Sequence, residues 1–389
     1  MNRCKGKVQR VLFIQATEPG AYPPLMNASA LLADAGWEVT FLSAPITGNR
    51  LEMAPHPAIT IRAIRSRPSH VMRKASYARY VAAATRLALR LRPAVVYASD
   101  PLGAAPGRLA ARLAGARLVY HEHDTPAPGT LRPWVARQRA AAARRAHLVV
   151  FPNEVRARMA QRELGFGDDR LRIVWNCPRV AELPSLTRQE EGPLLLYYHG
   201  SITPHRLPET VVEAVRRFSG RVLLRIAGYE APGAPGYVTR LLDLGAMAEG
   251  ENLVKYVGQV PSYRNLLADA TSAHIGLALM PMHSDEVNLT NMTGASNKAF
   301  DYMAAGLALL VSDLPDWRDM FVAPGYGRAC DPADPTSIAA ALTRFLDHPE
   351  ELRAMAARGR AKIEAEWNYD SAFNPVLATL LSLGASPAI

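Results

Sequence analysis

The chain has 389 residues, and its composition of 49% hydrophobic and 21% charged residues excludes predominant disorder. This length favours two or three domains. The formal net charge of +10 is unevenly distributed, because residues 1–180 contain 28 Lys and Arg residues against 11 Asp and Glu residues. A basic first half therefore precedes a mildly acidic second half. The basic first half could bind an anionic small molecule, a nucleic acid or an anionic membrane surface.

The N-terminal segment, the apolar runs and the cysteines make a cytoplasmic protein the expectation. No apolar run reaches the roughly 20 residues of a membrane-spanning helix. The basic N-terminus leads into a short apolar run, 8–14, without the cleavage site of a signal peptide. Three widely spaced cysteines, Cys4, Cys177 and Cys330, favour neither a disulfide framework nor a paired metal site. The high content of Ala and Arg is typical of a GC-rich bacterial genome.

In the first half, short apolar runs alternate with helical patterns of ten or more residues. The predicted strands are 11–14, 39–42, 59–62, 95–97, 117–120, 148–151 and 173–175. The predicted helices are 24–36, 75–91 and 105–114. This alternation predicts βαβ units and a parallel sheet.

Residues 177–192 lack periodicity and contain two prolines, so we predict the interdomain linker there. The second half repeats the alternation. Its predicted strands are 194–198, 222–227, 253–257, 275–279 and 308–311, and its predicted helices are 208–218, 237–248, 263–269, 296–305, two between 335 and 365, and 369–383. The expected fold class is α/β, with two Rossmann-like domains facing a central cleft. The expected domains are 1–185 and 186–368, and the final helix, 369–389, is expected to cross back to the first domain.

The stretch SNKAFDYMAAGLALLVSD, residues 296–313, carries the most chemical information. The first turn of a helix presents unpaired N–H groups and a partial positive charge, and Lys298 adds a full one. Asp301 lies about one turn further on, where a carboxylate can accept hydrogen bonds from a ribose diol. Together these groups suit a nucleoside diphosphate. A capped amphipathic helix with a surface ion pair explains the same pattern.

This stretch resembles the donor-site signature of the retaining family 4 glycosyltransferases of the GT-B fold, in which the second carboxylate of a Glu-x7-Glu pattern precedes such a run. Four other segments resemble that family: 120–124 (YHEHD), 199–206 (HGSITPHR), 224–228 (LRIAG) and 257–261 (VGQVP). The resemblance is specific over 195–320 and diffuse before 95. It implies transfer of a sugar from a UDP-, GDP- or other nucleoside diphosphate sugar to a hydroxyl acceptor, with retention of anomeric configuration and without a required metal or cofactor.

The resemblance also implies roles for individual residues. The expected catalytic residues are His123, Arg206 and Lys298. The expected donor or nucleotide contacts are Gly20, Gly200, Ser201, Gln259, Val260, Ser296, Asn297 and Asp301. Domain 1–185 would bind the acceptor, and domain 186–368 would bind the nucleotide sugar. Asp100, which follows a predicted strand, is either an acceptor contact or a cap on the next helix.

The chain departs from the family pattern at one position in particular. The first carboxylate of Glu-x7-Glu falls at Thr293, which carries no charge. Asp285 and Glu286 lie just upstream and are candidates for the missing acid. Asp301 is also one methylene shorter than the usual Glu. Two other functions therefore stay open: an epimerase of nucleotide sugars on the same fold, and a catalytically impaired binding or regulatory subunit.

The basic segment 73–90 places Arg79, Arg86 and Arg90 near one helical face. Such a helix either contacts an anionic membrane peripherally or presents an ordinary solvated face. We expect no nucleic-acid partner, because the chain contains no recognition motif and only 7% aromatic residues.

Overall fold

The computed structural model describes residues 8–17, 19–43, 52–64, 70–127, 129–186, 192–247 and 251–385. The chain divides into two compact units. The first unit contains the described residues up to Asn176 together with those from Tyr369 onward, and the second contains Cys177–Asn368. The observed boundary, between residues 176 and 177, lies nine residues before the predicted boundary at 185/186. The reason is that part of the predicted linker packs within the second unit. Arg264, for example, donates from Nη2 to the carbonyl of Ala181 at 3.3 Å.

The first unit is built on seven parallel strands: β1 Arg10–Gln15, β2 Glu38–Ser43, β3 Ile59–Ala63, β4 Val95–Ser99, β5 Arg117–His121, β6 Leu148–Phe151 and β7 Leu171–Ile173. Their spatial order is β3-β2-β1-β4-β5-β6-β7. Its helices are α1 Pro23–Asp34, α2 His70–Leu91, α3 Asp100–Ala114, α4 Pro133–Arg145 and α5 Glu154–Leu164. The inner strands β4 and β6 are fully buried apolar runs, as expected for a parallel sheet covered on both faces.

The second unit has six parallel strands: β8 Leu194–Ile202, β9 Val222–Glu230, β10 Val254–Gly258, β11 Ile275–Ala278, β12 Ala308–Ser312 and β13 Gly327–Cys330. Their spatial order is β10-β9-β8-β11-β12-β13. Its helices are α6 Glu209–Arg216, α7 Tyr237–Gly245, α8 Tyr263–Ala270, α9 Val287–Thr290, α10 Asn297–Ala304, α11 Pro315–Trp317, α12 Pro335–Asp347 and α13 Pro349–Ala365. Both units are therefore Rossmann-like α/β layers.

The strand order reverses between β1 and β4 in the first unit and between β8 and β11 in the second. Open α/β sheets bind ligands outside the carboxyl ends of their strands at such switch points. The loops that follow β1, β4, β5, β8 and β11 are therefore the places where candidate site residues are expected.

The last helix, α14 Tyr369–Ala385, belongs to the first unit. Four fully buried side chains, Tyr369, Phe373, Val376 and Leu380, repeat at intervals of three or four residues and form one face of this helix. They share an apolar core with strand residues such as Phe13 of β1. The end of the chain thus completes a core that the beginning of the chain started.

Several elements were absent from the sequence-based prediction, notably α4, α5, α9 and β13. Helices α4 and α5 bury Arg139 and Arg156 among small alanines, so their inward faces do not read as apolar stripes. Strand β13 is only four residues long and begins at Gly327. In the part of the chain that the structure describes, no helix is long and apolar enough to cross a membrane.

Candidate active site

The end of β8 and the start of α10 come together at a glycine. Gly200, near the end of β8, has a φ of +102°, which side-chain-bearing residues rarely adopt. A Cβ atom at this position would lie 3.2 Å from the Nζ of Lys298. The neighbouring strand approaches just as closely, because a Cβ atom at Gly228 would lie 2.0 Å from the Gly200 carbonyl oxygen. Glycine at these positions lets two strands and a lysine ammonium meet.

Lys298 is a buried cation in the first turn of α10, and its side chain is only 4% exposed. Its Nζ lies 5.5 Å from the centroid of the Tyr198 ring, within cation–π range. Burial, reinforced by the charge of Arg206, lowers the pKa of Lys298 to about 7, and the Asp301 carboxylate only partly opposes this. An anion bound here would stabilise the charged ammonium form of Lys298, which burial disfavours.

Arg206 is the second cation of this region. It lies in the loop between β8 and α6, is half-buried, and its Nη1 donates to the hydroxyl of Ser201 at 3.3 Å. The neighbouring His205 is exposed. Because Arg206 lowers the pKa of Lys298, the two positive side chains sense each other electrostatically. Two cations beside a helix N-terminus make a favourable place for a phosphate group.

Asp301 is the centre of a buried polar network and is 0% exposed. Its carboxylate accepts hydrogen bonds from the hydroxyl of Tyr263 and from the side-chain amide of Asn297, the latter at 2.7 Å. The Nε2 atom of His199 lies 3.2 Å from the second carboxylate oxygen. The expected contact of Asp301 with a ribose stays a prediction, since in this structure protein groups cover the carboxylate.

The same network reaches the strands beneath α10. The backbone N–H of His199 donates to the hydroxyl of Tyr302 at 3.1 Å. The Tyr302 ring lies so close to β11 that a Cβ atom at Gly276 would be 2.1 Å from it. Burial lowers the pKa of His199, and its neighbour Asp301 opposes that shift. These contacts fix the orientation of the first turn of α10 relative to the end of β8.

The residue that precedes α10 has a polar group without a partner among the described residues. Ser296 precedes the helix, is 5% exposed, and makes no side-chain cap hydrogen bond. Its hydroxyl is buried with no hydrogen-bond partner among the described residues. A ligand oxygen is the kind of partner that such a group requires.

The position of the missing motif carboxylate lies next to an acid from another element. Thr293 donates its hydroxyl hydrogen bond to the carboxylate of Asp316 in α11. Asp285 and Glu286, the candidates proposed from the sequence, are exposed residues just before α9. Asp316, 23 residues beyond Thr293, was missed, because its proximity depends on the loop that follows β12.

The loop after β10 contains Gln259, which is exposed, and Val260, which is half-buried. Gly258 begins this loop with a φ of +79°. The hydroxyl of Tyr256 donates to the Gly228 carbonyl at 2.8 Å and so ties β10 to the strand beside Gly200. The sequence-predicted nucleobase loop therefore lies at the same carboxyl edge of the sheet as Gly200.

In the first unit, His123 follows the end of β5 and is 3% exposed. Both of its ring nitrogens are buried without a hydrogen-bond partner among the described residues. Its ring stacks on Tyr22 at a centroid distance of 5.1 Å and lies 3.9 Å from the ring of His121. Burial lowers the pKa of His123 to about 3, so the ring is neutral at ordinary pH. His121 differs, because its Nδ1 is 2.7 Å from the hydroxyl of Tyr97.

The backbone around His123 is held from several sides. Asp100 accepts a hydrogen bond from the His123 N–H at 2.8 Å, and Arg156 donates to the His123 carbonyl at 3.1 Å. Next to it, the buried Glu122 carboxylate receives two hydrogen bonds of 2.7 Å from the Arg139 guanidinium. Such bidentate pairs fix geometry firmly. The loop of residues 122–124, called the histidine loop below, is therefore held in place by hydrogen bonds from several elements.

Asp100 thus has a role that the sequence did not predict. Its φ of +59° is unusual for a residue other than glycine, and such strain is often found at functional sites. Burial, with the nearby charge of Asp124, raises the pKa of Asp100 well above its ordinary value.

Gly20, in the loop after β1, is buried in a short helical turn over Pro19–Ala21. Among the residues that the structure describes, no group of three or more His, Cys, Asp or Glu side chains is arranged for a metal ion.

The comparisons with known proteins agree with this geometry. Residues 25–178 match the family model for Glycosyltransferase Family 4, and residues 205–378 match a family model described as glycosyl transferase-like. No curated protein matches the chain in sequence. The protein is a glycosyltransferase, built from two Rossmann-like units of the GT-B fold. The first match lies almost wholly in the first unit, and most of the second match lies in the second unit.

Solved structures show the same fold at low sequence identity. HepE from Anabaena, crystallised in complex with UDP, is 15% identical with a TM-score of 0.69, and the match covers 96% of this chain and 100% of HepE. Sucrose-phosphate synthase from Thermosynechococcus elongatus is 16% identical with a TM-score of 0.72, covering 97% and 100%. A glycosyltransferase from Rickettsia africae is 10% identical with a TM-score of 0.73, covering 98% and 100%.

Proposed function

We propose that this glycosyltransferase takes its sugar from a nucleoside diphosphate sugar and transfers it to a hydroxyl acceptor with retention of anomeric configuration. The observation that carries the proposal is the buried ammonium of Lys298 against Gly200, with Arg206 close enough to depress its pKa. In glycosyl transfer the leaving group is an anionic diphosphate. Stabilising that growing charge with groups already in place is the main task of the protein.

In this proposal the second unit binds the nucleotide. Gly200 lets a diphosphate approach the backbone, while Ser201 orients Arg206 through the 3.3 Å hydrogen bond. Ser296 offers its hydroxyl, which has no partner among the described residues, and the N–H groups of Asn297 and Lys298 offer the positive end of α10. Asp301 acts as a positioning residue that holds the side chain of Asn297. Gln259 and Val260 contact the nucleobase through backbone groups.

His123 is proposed as a contact to a hydroxyl of the donor sugar. Its ring nitrogens are unpartnered among the described residues, and its pKa of about 3 keeps it neutral, so it acts as a hydrogen-bonding group rather than a charged one. Asp100 supports this role by holding the His123 backbone. Asp316, bonded to Thr293, is proposed to supply the carboxylate that the motif lacks.

Metal independence belongs to the same proposal, because Lys298 and Arg206 already provide positive charge for the diphosphate. UDP is the first nucleotide to test, since HepE was crystallised with UDP and also with UDP-glucose; GDP is the second. The acceptor is a glycan, a lipid-linked glycan or a small metabolite. A cytoplasmic bacterial enzyme is proposed, with peripheral contact to an anionic membrane through the exposed Arg79, Arg86 and Arg90 of α2.

The decisive experiment compares wild type with Lys298→Ala and Arg206→Ala in two assays. Calorimetry with UDP and GDP measures nucleotide binding, and a panel of nucleotide sugars with hydroxyl acceptors, analysed by NMR, measures transfer and the anomeric configuration of the product. We expect binding and transfer to be lost in both variants, to persist in the exposed neighbour variant His205→Ala, and to withstand a chelator. Wild-type-like activity in Lys298→Ala and Arg206→Ala would refute the proposed mechanism. An epimer formed without acceptor would indicate a nucleotide-sugar epimerase instead.

A further inference from the structure

A cavity of about 800 Å³ lies in the first unit at the opposite edge of the sheet from His123. Its walls come from the C-terminal ends of α3 and α4, from the starts of β5 and β6, from the segment around β7 and from α14. Arg117 begins β5 on this side, whereas His123 follows the other end of the same strand. A five-residue strand separates the two places by roughly 13 Å. The cavity is therefore a distinct site.

The cavity is strongly basic. Six arginines line it against a single acidic residue, Asp169: Arg108, Arg112, Arg117, Arg145, Arg170 and Arg172. Its volume lies in the range of small-molecule sites, which is about 300–1,000 Å³. Crowding of like charges costs free energy unless an anion compensates for it. The excess of arginines therefore requires an explanation beyond an Arg-rich surface.

Two of these arginines make hydrogen bonds that stabilise the protein itself. Arg170 donates from Nη1 to the carbonyl of Arg144 at 2.7 Å, and Arg172 donates to the carbonyl of Asp169 at 2.9 Å. Cations near the ends of helices also interact favourably with the helix dipole. These contacts account for Arg170 and Arg172, but they leave the other four arginines of the cavity unexplained.

Among the described residues, the other four arginines of the cavity have no ion-pair partner. The side chains of Arg112, Arg117 and Arg145 also make no hydrogen bond there. Arg108 donates from Nη2 to the side-chain oxygen of Gln138 at 2.7 Å, yet its Nε is buried without a partner among the described residues. The pKa of Arg108 is lowered by burial and by the charges of Arg145 and Arg112.

The positive charge of the cavity also acts on His147, the residue just before β6. It lines the cavity, and its pKa is lowered by burial and by the charges of Arg117, Arg170 and Arg172. A bound anion would offset those charges and raise the pKa of this histidine. The ring of His147 is therefore a local probe of occupancy, independent of any nucleotide site in the second unit.

We propose that this arginine cavity binds a phosphate or diphosphate ester, so that the first unit carries an anion site separate from its histidine loop. Guanidinium groups suit this ligand because each can give two parallel hydrogen bonds to phosphate oxygens. The ester is either a free phosphorylated metabolite or the headgroup of an anionic lipid. The chemistry is shared by both sources, and the two are distinguished by experiment.

The test uses the full-length protein and inorganic pyrophosphate, with the ring resonance of His147, identified through His147→Gln, followed by NMR at several pH values. The variant is the double substitution Arg112→Ala and Arg145→Ala, which removes two exposed side chains that make no hydrogen bond or ion pair with the described residues. The matched control is Arg79→Ala and Arg86→Ala, which removes the same charge from the exposed face of α2.

In wild type and in the α2 control, pyrophosphate should raise the pKa of His147 in a saturable manner. In the Arg112/Arg145 variant the apparent affinity should fall at least about tenfold, as expected when charged hydrogen bonds to an anion are lost. No response of His147 in wild type, or an equal response in both double variants, would overturn the proposal.

Vesicles of phosphatidylglycerol in phosphatidylcholine then separate the two sources. Co-sedimentation that is lost in the Arg112/Arg145 variant and retained in the α2 control identifies a lipid headgroup as the ligand. A response of His147 to pyrophosphate without such co-sedimentation identifies a free phosphate ester. Both results support the anion site, and their failure leaves the proposed nucleotide site in the second unit untouched.

Discussion

The hydroxyl of Thr293 donates a hydrogen bond to the carboxylate of Asp316. Thr293 occupies the position at which the family pattern places its first glutamate, so a charge that is missing from the motif is present beside it in space. Asp316 lies in the short helix after β12, whereas Thr293 lies just before α10. The carboxylate of Asp316 can therefore take the position of the motif glutamate although it comes from a different element.

If Asp316 supplies this carboxylate, Asp316→Asn should raise KM for the donor sugar about tenfold, the effect of weakening a charged hydrogen bond. Affinity for UDP alone, which lacks the sugar, should stay unchanged. Asp319→Asn, an exposed acid in the same segment, is the matched control and should behave as wild type. The double variant Thr293→Glu and Asp316→Asn should recover the KM, because it returns the carboxylate to the motif position. Equal kinetics for Asp316→Asn and Asp319→Asn would exclude this role.

The lowered pKa of Lys298 predicts proton uptake on nucleotide binding. In the free protein the pKa is about 7, so at pH 8 most of the side chain is neutral. A bound diphosphate favours the charged ammonium and raises that pKa, so binding above pH 7 takes up a proton and weakens as pH increases. Calorimetry of UDP binding at pH 8 in buffers of different ionisation enthalpy measures this uptake.

Lys298→Arg is the matched variant for this experiment, because arginine stays charged throughout this range. Its proton uptake at pH 8 should fall nearly to zero, whereas UDP binding should survive in weakened form. Proton uptake that is equal in wild type and Lys298→Arg would assign the titration to another group.

His123 should contribute to turnover without appearing in the pH profile. Because its pKa is about 3, the ring is neutral from pH 5 to 9 and no ionisation in that range belongs to it. His123→Ala should lower kcat/KM about tenfold or more, leave UDP affinity unchanged, and leave the shape of the pH profile as in wild type. A profile that loses an inflection in His123→Ala would contradict the structure.

Gly276→Ala should destabilise the second unit. A Cβ atom at Gly276 on β11 would lie 2.1 Å from the ring of Tyr302, whose hydroxyl accepts the hydrogen bond from the His199 backbone N–H. Overpacking of this kind costs about 1–3 kcal/mol of unfolding free energy. Urea unfolding should show the loss, and UDP affinity should fall with it. Gly233→Ala, where no heavy atom lies within 4 Å of the new Cβ, should change neither quantity.

Sequence patterns predicted most strands of both sheets, because buried parallel strands are short, uniform apolar runs such as β4 and β12. They failed at α4 and α5, where buried arginines interrupt the apolar pattern. The β13 strand was missed as well, since four residues that include a glycine carry little pattern.

Residues of the candidate site divide in a similar way. Lys298 was predicted because local sequence places it in the first turn of a helix, whereas Gly200 was predicted only because its segment, 199–206, resembles a family motif. The partners of Asp301 were not, since Tyr263 and His199 come from α8 and β8, far away along the chain. The arginine cavity was also invisible in sequence, because its residues are spread over six elements. Only the basic bias of the first half pointed toward it.

The position of α14 in the first unit has a consequence for biosynthesis. The ribosome makes β1 and its neighbours early, but the side chains of Tyr369, Phe373, Val376 and Leu380, which cover part of their core, emerge only after the second unit. During translation of the whole second unit, this apolar surface has no native cover. The core of the first unit is thus completed only after residues 177–368 have been made, and until then it exposes apolar surface of the kind that promotes aggregation.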